Sequence, residues 1–355
     1  MKKLLNTLYV VNEEAYLTLD GENIVVNVNG KILGRVPLHT LEAIICFSYK
    51  GASPALMGAC LQRGVGLSFF LPNGRFQASI DGWEQGNVLL RKEQYRISDD
   101  LERSFYYAQN MILGKVFNGR WCLERTLRDH KMRVDSEKIK TVSDEMRLGL
   151  QKISQMENMD SLRGVEGQLA ERYFSVFDHL IINQKEDFVF KTRSRRPPLD
   201  RVNALLSFCY TVLANDCANA LKSVGLDPYV GFMHRDRPGR KSLALDLLEE
   251  LRACMADRFV ITLINKKIIQ SEHFVYQKDG ATLLNDKGRK LFFSAWQSRK
   301  KETLKHPYLN EKLEWGLVPY AQALLLARTI RGDLKEYPPF FLEIGGGNDD
   351  GFDHI

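Results

Sequence analysis

Residues 231–252, GFMHRDRPGRKSLALDLLEELR, combine a basic turn that contains one histidine with the start of a helix. Leucines at helical spacing predict an apolar stripe on this helix: Leu243, Leu247, Leu248 and Leu251. Three carboxylates at i, i+3 and i+4 predict an acidic face: Asp246, Glu249 and Glu250. Four cations precede them and are suited to holding a phosphate: Arg235, Arg237, Arg240 and Lys241. The combination points to metal-assisted chemistry on a phosphodiester, and the alternative is a solvated amphipathic helix after a charged loop.

A second segment, residues 161–174, SLRGVEGQLAERYF, predicts a helix with an acid on its apolar side. Glu166 falls within the stripe formed by Leu162, Leu169, Ala170 and Tyr173. A buried carboxylate is costly unless it is paired, protonated or bound to a metal. Glu166 is therefore either a metal ligand or the partner of an arginine on a neighbouring helix. Gly164 and Gly167 flank it and predict that another helix or a ligand comes close.

The hydrophobic period changes once along the chain and predicts an α+β fold. Residues 1–92 read as short strands, with Asp20-Gly21 and Asn29-Gly30 as tight hairpin turns. From residue 99 the period becomes helical. We expect a small β-rich N-terminal domain, residues 1–92, and a larger all-α domain, residues 93–355. A short flexible acidic tail is expected from about residue 344.

Composition narrows the class of protein. A length of 355 residues suits two domains, and 44% apolar with 26% charged residues is typical of a globular protein. The net charge is +6, and the basic residues are concentrated in the second domain, which favours a phosphate-rich partner. Six scattered cysteines predict buried thiols and a reducing compartment. Because no signal peptide or membrane-spanning run is recognisable, we expect a cytoplasmic protein.

Several runs of sequence carry a resemblance to a known family. These are RGVEG followed by Ala170 and Tyr173-Phe174, the run Gly231-Phe232 with His234, and the run from Gly239 to Arg252. Residues 195–206, the segment Gly288-Arg289-Lys290 and the pair Gln322-Ala323 follow the same pattern. Together they resemble the CRISPR-associated integrase of spacer acquisition, the first-numbered family of CRISPR-associated proteins, over nearly the whole chain.

The resemblance implies an activity and a metal site, and it implies that residues 93–355 are the catalytic and DNA-binding domain. It implies a metal-dependent DNA integrase or endonuclease that inserts new spacer DNA into a CRISPR array by attack of a 3′-hydroxyl on a phosphodiester. The implied ligands of Mn²⁺ or Mg²⁺ are Glu166, His234 and Glu249, with Asp246 as a further catalytic acid. Whether Asp246 or Glu249 is the main acidic ligand stays open. The alternative is a catalytically inactive DNA-binding scaffold of an adaptation complex.

The implied partners are double-stranded DNA with exposed 3′ ends, CRISPR repeat DNA, a second copy of the chain and the second-numbered CRISPR-associated protein, which bridges two dimers. We expect the homodimer contact in the first domain. Three basic clusters are candidates for DNA contact: residues 191–196, 235–241 and 287–301. The third mixes cations with Phe292, Phe293 and Trp296, as a stacking surface does, and the alternative is that these aromatics are core. Among all these cations we predict DNA contacts for Arg163, Arg196, Arg237, Arg240, Lys241, Arg289, Lys290 and Arg299.

Overall fold

A computed structural model describes residues 7–71, 76–80 and 88–342 of the chain. The predicted acidic tail from about residue 344 lies outside these ranges. Each structural statement that follows concerns the described residues.

The first domain contains two sheets and one helix. Strands β1, β5 and β6 are parallel, and β7 pairs antiparallel with β6, in the order β1-β5-β6-β7. Strands β2, β3 and β4 form a separate antiparallel meander. The predicted hairpin turns are confirmed, since Gly21, Asn29 and Gly30 all have positive φ angles. The elements are β1 (Thr7–Val10), β2 (Ala15–Asp20), β3 (Asn23–Val28), β4 (Lys31–Pro37), β5 (Ala43–Cys46), α1 (Pro54–Arg63), β6 (Gly66–Phe70) and β7 (Phe76–Ser79).

The second domain is mostly helical, as predicted, and its first described helix begins at Val88. It also has two short antiparallel hairpins. Sequence analysis did not predict them, because strands of three residues are too short to show an alternating pattern. A π-helical segment, Arg252–Asp257, joins α7 to α8 without a break. The elements are α2 (Val88–Asp99), α3 (Leu101–His130), α4 (Ser136–Ser154), α5 (Met159–Ser175), α6 (Arg201–Ser223), α7 (Ser242–Leu251), α8 (Arg258–Asn265), β8 (Phe274–Tyr276), β9 (Thr282–Leu284), α9 (Asp286–Lys301), β10 (Thr303–Lys305), β11 (Lys312–Glu314) and α10 (Val318–Arg331).

The long helix α3 organises the second domain, because it packs against α4, α5 and α7. The α9 aromatics Phe292, Phe293 and Trp296 are buried in the core. They are therefore not available as a stacking surface, and the core alternative is correct. Phe293 also stacks on Tyr9 of β1 with ring centroids 4.0 Å apart, so one continuous core joins the two domains.

The prediction of buried thiols is confirmed, since all six cysteines are buried and free. Burial raises the pKa of Cys46 to about 11 and that of Cys122 to about 12. Within the described part of the chain, no helix has both the length and the apolar character needed to cross a bilayer.

Candidate metal centre

The acidic side of α7 is buried. Asp246, Glu249 and Glu250 are 0%, 4% and 0% exposed. The alternative of a solvated helix face is therefore wrong. Burying three carboxylates is tolerated only because each has its own polar partners on a different neighbouring element.

Asp246 holds the turn that carries His234. Its Oδ2 accepts hydrogen bonds from the backbone N–H groups of Phe232 and Met233, at 2.6 and 3.0 Å. Its Oδ1 accepts one from the His234 backbone N–H at 3.0 Å and lies 2.5 Å from His234 Nδ1. Four donors thus use the acceptor sites of the carboxylate. A proton on Nδ1 directed at Asp246 leaves the Nε2 lone pair of the imidazole free to bind a ligand.

Glycine is required at the start of this turn. A Cβ built on Gly231 would lie 2.7 Å from Ser242 Cβ and 2.9 Å from Asp246 Oδ2. The turn therefore packs directly on the first two turns of α7. This close approach brings the backbone N–H groups of the turn within reach of the Asp246 carboxylate.

Glu166 and Glu249 meet at one cation. Lys115 of α3 contacts Glu166 Oε1 through its ammonium group, and the same Nζ lies 2.7 Å from Glu249 Oε2. The side chains of Lys115 and Glu166 are only 13% and 19% exposed. Of the two alternatives for Glu166, the structure shows the ion pair, although the partner is a lysine and not an arginine.

Glu249 is held ionised by its neighbours. Burial alone would raise the pKa of its carboxyl, but Arg252 and Lys115 outweigh burial and lower the pKa to about 2. Arg252 Nη2 donates to Glu249 Oε1 at 2.9 Å. The other oxygen, Oε2, is buried and lies 2.7 Å from the Lys115 ammonium. Arg252 and Lys115 thus each hold one oxygen of this carboxylate.

Glu250 points away from the other two carboxylates and ties the end of the described chain to α7. Its oxygens accept from Gln322 Nε2, the Tyr337 hydroxyl and the Phe340 backbone N–H at 3.1, 2.5 and 3.0 Å. Burial raises the pKa of Glu250 to about 7, although these hydrogen bonds oppose the shift. We assign Glu250 a structural role.

The predicted DNA-binding cations differ in their surroundings. Arg196, Arg237 and Lys290 are exposed, and no described acidic side chain pairs with any of the three. Arg240 and Lys241 are half-buried in the turn before α7. Exposure therefore leaves Arg196, Arg237 and Lys290 available to a phosphate, whereas Arg240 and Lys241 present only part of their side chains.

The other three predicted DNA contacts are engaged within the chain. Arg163 donates through Nη2 to the Met233 carbonyl at 2.7 Å, so it ties α5 to the histidine turn. Arg299 stacks over the ring of Trp315, 4.3 Å from its centroid. Arg289 is 4% exposed and pairs with Glu13 and Asp286. Because these two acids compensate its charge, we do not propose Arg289 as a DNA contact.

The residues present fit a divalent cation in their chemistry. Two carboxylates and one neutral imidazole are ligands that suit Mn²⁺, and the lone pair of His234 Nε2 is left for a ligand when Nδ1 donates to Asp246. Among the residues that the structure describes, however, no three His, Cys, Asp or Glu side chains already converge as a metal site. The Lys115 ammonium lies between Glu166 and Glu249 and contacts both carboxylates.

Sequence analysis missed two residues of this centre. Lys115 gave a weak signal, since it is a single cation in the apolar stretch from Met111 to Phe117 of α3. Arg252 closes the run from Gly239 that carried the resemblance, but spacing alone gave it no role.

Comparison with known proteins decides the family. The family model of the CRISPR associated protein Cas1 matches residues 8–298. A CRISPR-associated endonuclease Cas1 of Rhodospirillum rubrum is 50% identical over 96% of this chain and 99% of its own length. One of Chlorobaculum tepidum is 44% identical over the same shares. The chain belongs to the Cas1 family.

Solved structures show the same fold. A casposase bound to an integration product has a TM-score of 0.82 at 22% identity, over 97% of this chain and 96% of that one. A Cas1 protein from Thermotoga maritima has a TM-score of 0.78 at 22% identity, over 92% and 97%. The predicted α+β fold, a small β-rich domain followed by a larger helical one, is thus confirmed.

Proposed function

We propose that this Cas1 protein is a metal-dependent DNA integrase and endonuclease of CRISPR adaptation, which inserts new spacer DNA into a CRISPR array by 3′-hydroxyl attack on a phosphodiester. One observation carries the proposal: the partly buried Glu166 and the buried Glu249, on different helices, share one cation beside a histidine turn fixed by Asp246. Support comes from relatives of nearly full length that are named endonucleases, and from a structural neighbour bound to an integration product.

We propose Glu166, Glu249 and His234 Nε2 as ligands of Mn²⁺ or Mg²⁺. Asp246 is then a positioning residue, because its acceptor sites are used by three backbone N–H groups and by His234 Nδ1. A bound divalent cation would neutralise charge that develops on the non-bridging phosphate oxygens and would polarise the nucleophile. We choose Glu249 over Asp246 because Glu249 Oε2 contacts a side-chain cation that a metal ion could replace, whereas both oxygens of Asp246 hold the histidine turn.

The chain itself binds and orients the DNA. The attacking hydroxyl belongs to DNA, so no protein nucleophile is needed, and the buried cysteines have raised pKa values that keep them protonated. Arg196, Arg237, Arg240, Lys241 and Lys290 are the proposed phosphate contacts.

The open face of α5 beside Glu166 suits the approach of a DNA strand. A Cβ built on Gly164 or Gly167 would meet nothing within 4 Å. No helix of the described chain comes close there, so of the two occupants expected from the sequence, a ligand is the one that we propose.

The proposed partners follow the same reasoning. They are double-stranded DNA with exposed 3′ ends, CRISPR repeat DNA, a second Cas1 copy bound through the first domain, and Cas2 as the protein that bridges two dimers. One structural neighbour, with a TM-score of 0.79 at 22% identity, is a complex named for Cas6, RT, Cas1 and Cas2.

A strand-transfer assay tests the proposal. Purified protein, with and without its Cas2, is given a labelled duplex with 3′-hydroxyl ends and a plasmid that carries the CRISPR repeat. Joined product is expected with Mn²⁺ and none with EDTA. Glu166→Gln should abolish the product, whereas Glu171→Gln, an exposed acid on the same helix, should retain it. DNA binding by the wild type without any metal-stimulated product would favour the scaffold alternative.

A further inference from the structure

Lys115 is an unusual residue for its place in the fold. It lies in the middle of α3, with the buried side chains of Ile112, Leu113 and Val116 around it on the same helix. Lysine is seldom buried unless it is paired. Its ammonium reaches across to α5 and α7 at once, because it contacts Glu166 and Glu249.

The charges around Lys115 explain why it is there. Glu166 and Glu249 bring two negative charges, and Arg252 compensates one of them through Glu249 Oε1. Without Lys115, one carboxylate charge would stay uncompensated in a largely buried site. In the metal-free protein, Lys115 therefore supplies the positive charge that keeps the two carboxylates together.

The two cations of the site differ in freedom. The Arg252 guanidinium is fixed, because it lies 4.8 Å over the ring of Tyr210 and pairs with Glu249. Lys115 carries a compact charge on a flexible four-carbon stem, and within the described part of the chain its ammonium contacts side-chain carboxylates alone, those of Glu166 and Glu249. Of the two, Lys115 is the one that can leave.

The cavity beside Lys115 is an unfavourable place for a displaced ammonium. It has a volume of about 30 Å³ and is lined by residues that include Glu166, Tyr173, Arg252 and Asp257. That is room for about one water molecule, and the Arg252 guanidinium in its wall would repel a second cation. We therefore expect a displaced ammonium to move outward, past Glu166, whose helix α5 has an open face at Gly164 and Gly167.

We infer that Lys115 is an internal cation that couples metal binding to DNA binding. On the basis of the proposed function, Lys115 occupies the place between Glu166 and Glu249 in the free protein. When a divalent cation takes that place, the Lys115 side chain moves and its ammonium forms an ion pair with a DNA phosphate. Metal must compete with Lys115 when DNA is absent. When DNA is present, a phosphate offers the displaced ammonium a new partner, so metal and DNA each strengthen the binding of the other.

The test measures metal binding without catalysis. Free Mn²⁺ is followed by its electron paramagnetic resonance signal, with and without a duplex whose 3′ ends are dideoxy and cannot react. For the wild type, the duplex should tighten Mn²⁺ binding by about tenfold, within the usual range of coupling between sites. Lys115→Met should bind Mn²⁺ about tenfold more tightly without DNA and show less than about twofold enhancement with it. Lys140→Met, which removes an exposed lysine of α4, should keep the wild-type coupling.

Two further variants keep the outcomes distinct. Lys115→Gln retains a polar side chain without the charge. It should show the Mn²⁺ binding expected for Lys115→Met, and it provides that measurement if the methionine variant folds poorly. Unchanged coupling in either Lys115 variant, or weaker Mn²⁺ binding without DNA, would overturn the inference while the metal site stands. Glu166→Gln should lose Mn²⁺ binding; if it binds like the wild type, or if the wild type binds no Mn²⁺ with or without DNA, the proposed metal function itself fails and the inference falls with it.

Discussion

Asp246→Asn replaces one of two acceptor oxygens by an NH₂ group, although four N–H groups of the histidine turn are directed at these two atoms. The two backbone N–H groups of Phe232 and Met233 share Oδ2, while the His234 N–H and Nδ1 share Oδ1. Whichever way the asparagine amide turns, its NH₂ group faces two donors and accepts from neither. Asp246→Asn is therefore predicted to loosen the histidine turn and to destabilise the fold.

The size of the loss follows from burial. Asp246 is 0% exposed, so solvent cannot satisfy the abandoned donors. Each unsatisfied buried donor costs about 1–3 kcal/mol, and the lost charge adds to this, so we expect the free energy of unfolding to fall by about 3–5 kcal/mol. Because the imidazole is no longer held through Nδ1, Mn²⁺ affinity or strand transfer should fall by about 10- to 100-fold.

Urea unfolding at neutral pH measures the first quantity and Mn²⁺ titration the second. Asp236→Asn is the matched control, since Asp236 lies in the same turn, is exposed and accepts only one described hydrogen bond, from Gly231 N–H at 3.2 Å. Its effect should stay within about 0.5 kcal/mol. A loss below about 1 kcal/mol for Asp246→Asn, together with unchanged Mn²⁺ affinity, would show that Asp246 does not position His234.

Three further outcomes are expected. The pKa of Glu250 is about 7 in the folded protein against an ordinary value of 4.5, so the folded state binds this proton more tightly than the unfolded state does. The contribution of Glu250 to the free energy of unfolding is therefore fully present below about pH 4.5 and is lost as the pH rises to about 7. Glu250→Gln should remove about 3 kcal/mol of that pH dependence, as measured by urea unfolding at pH 5 and pH 8, and identical pH profiles would contradict it. Gly231→Ala should destabilise by about 1–3 kcal/mol, because its Cβ would lie 2.7 Å from a side-chain carbon of α7; full stability in urea would show that the turn yields freely. Lys290→Gln should lower the salt slope of DNA binding by about 1, whereas Arg289→Gln should leave the slope unchanged and lower stability, since Arg289 pairs with Glu13; the reverse result would place Arg289 on the DNA.

Much of the fold is predictable because local sequence decides it. Asn29-Gly30 adopts the positive φ angles that a tight hairpin needs, and the alternation around it is that of strands. The helical period of α3 and α6 is also clear in the sequence. The short hairpin of β10 and β11 is not, because strands of three residues carry no periodic signal and are set by their tertiary surroundings.

The candidate site is only partly visible in the sequence. Asp246 and His234 lie 12 residues apart in the chain, so their nearness is a local matter that spacing can suggest. The meeting of Glu166 with Lys115 joins residues 51 apart, and depends on how α3 packs between α5 and α7. The structural role of Glu250 depends on hydrogen bonds with residues as far as 90 positions away in the chain. A helical wheel places the α7 carboxylates on one side, but it does not show that three different elements cover that side.

The central claim is that Glu166, His234 and Glu249 bind one divalent cation. Anomalous diffraction from crystals grown with Mn²⁺ and the unreactive duplex tests it directly. The account predicts one anomalous peak at bonding distance, about 2 Å, from a carboxylate oxygen of each glutamate and from His234 Nε2, with Lys115 turned away from both carboxylates. A Mn²⁺ peak elsewhere, or no peak while Lys115 still contacts Glu166 and Glu249, would contradict the account.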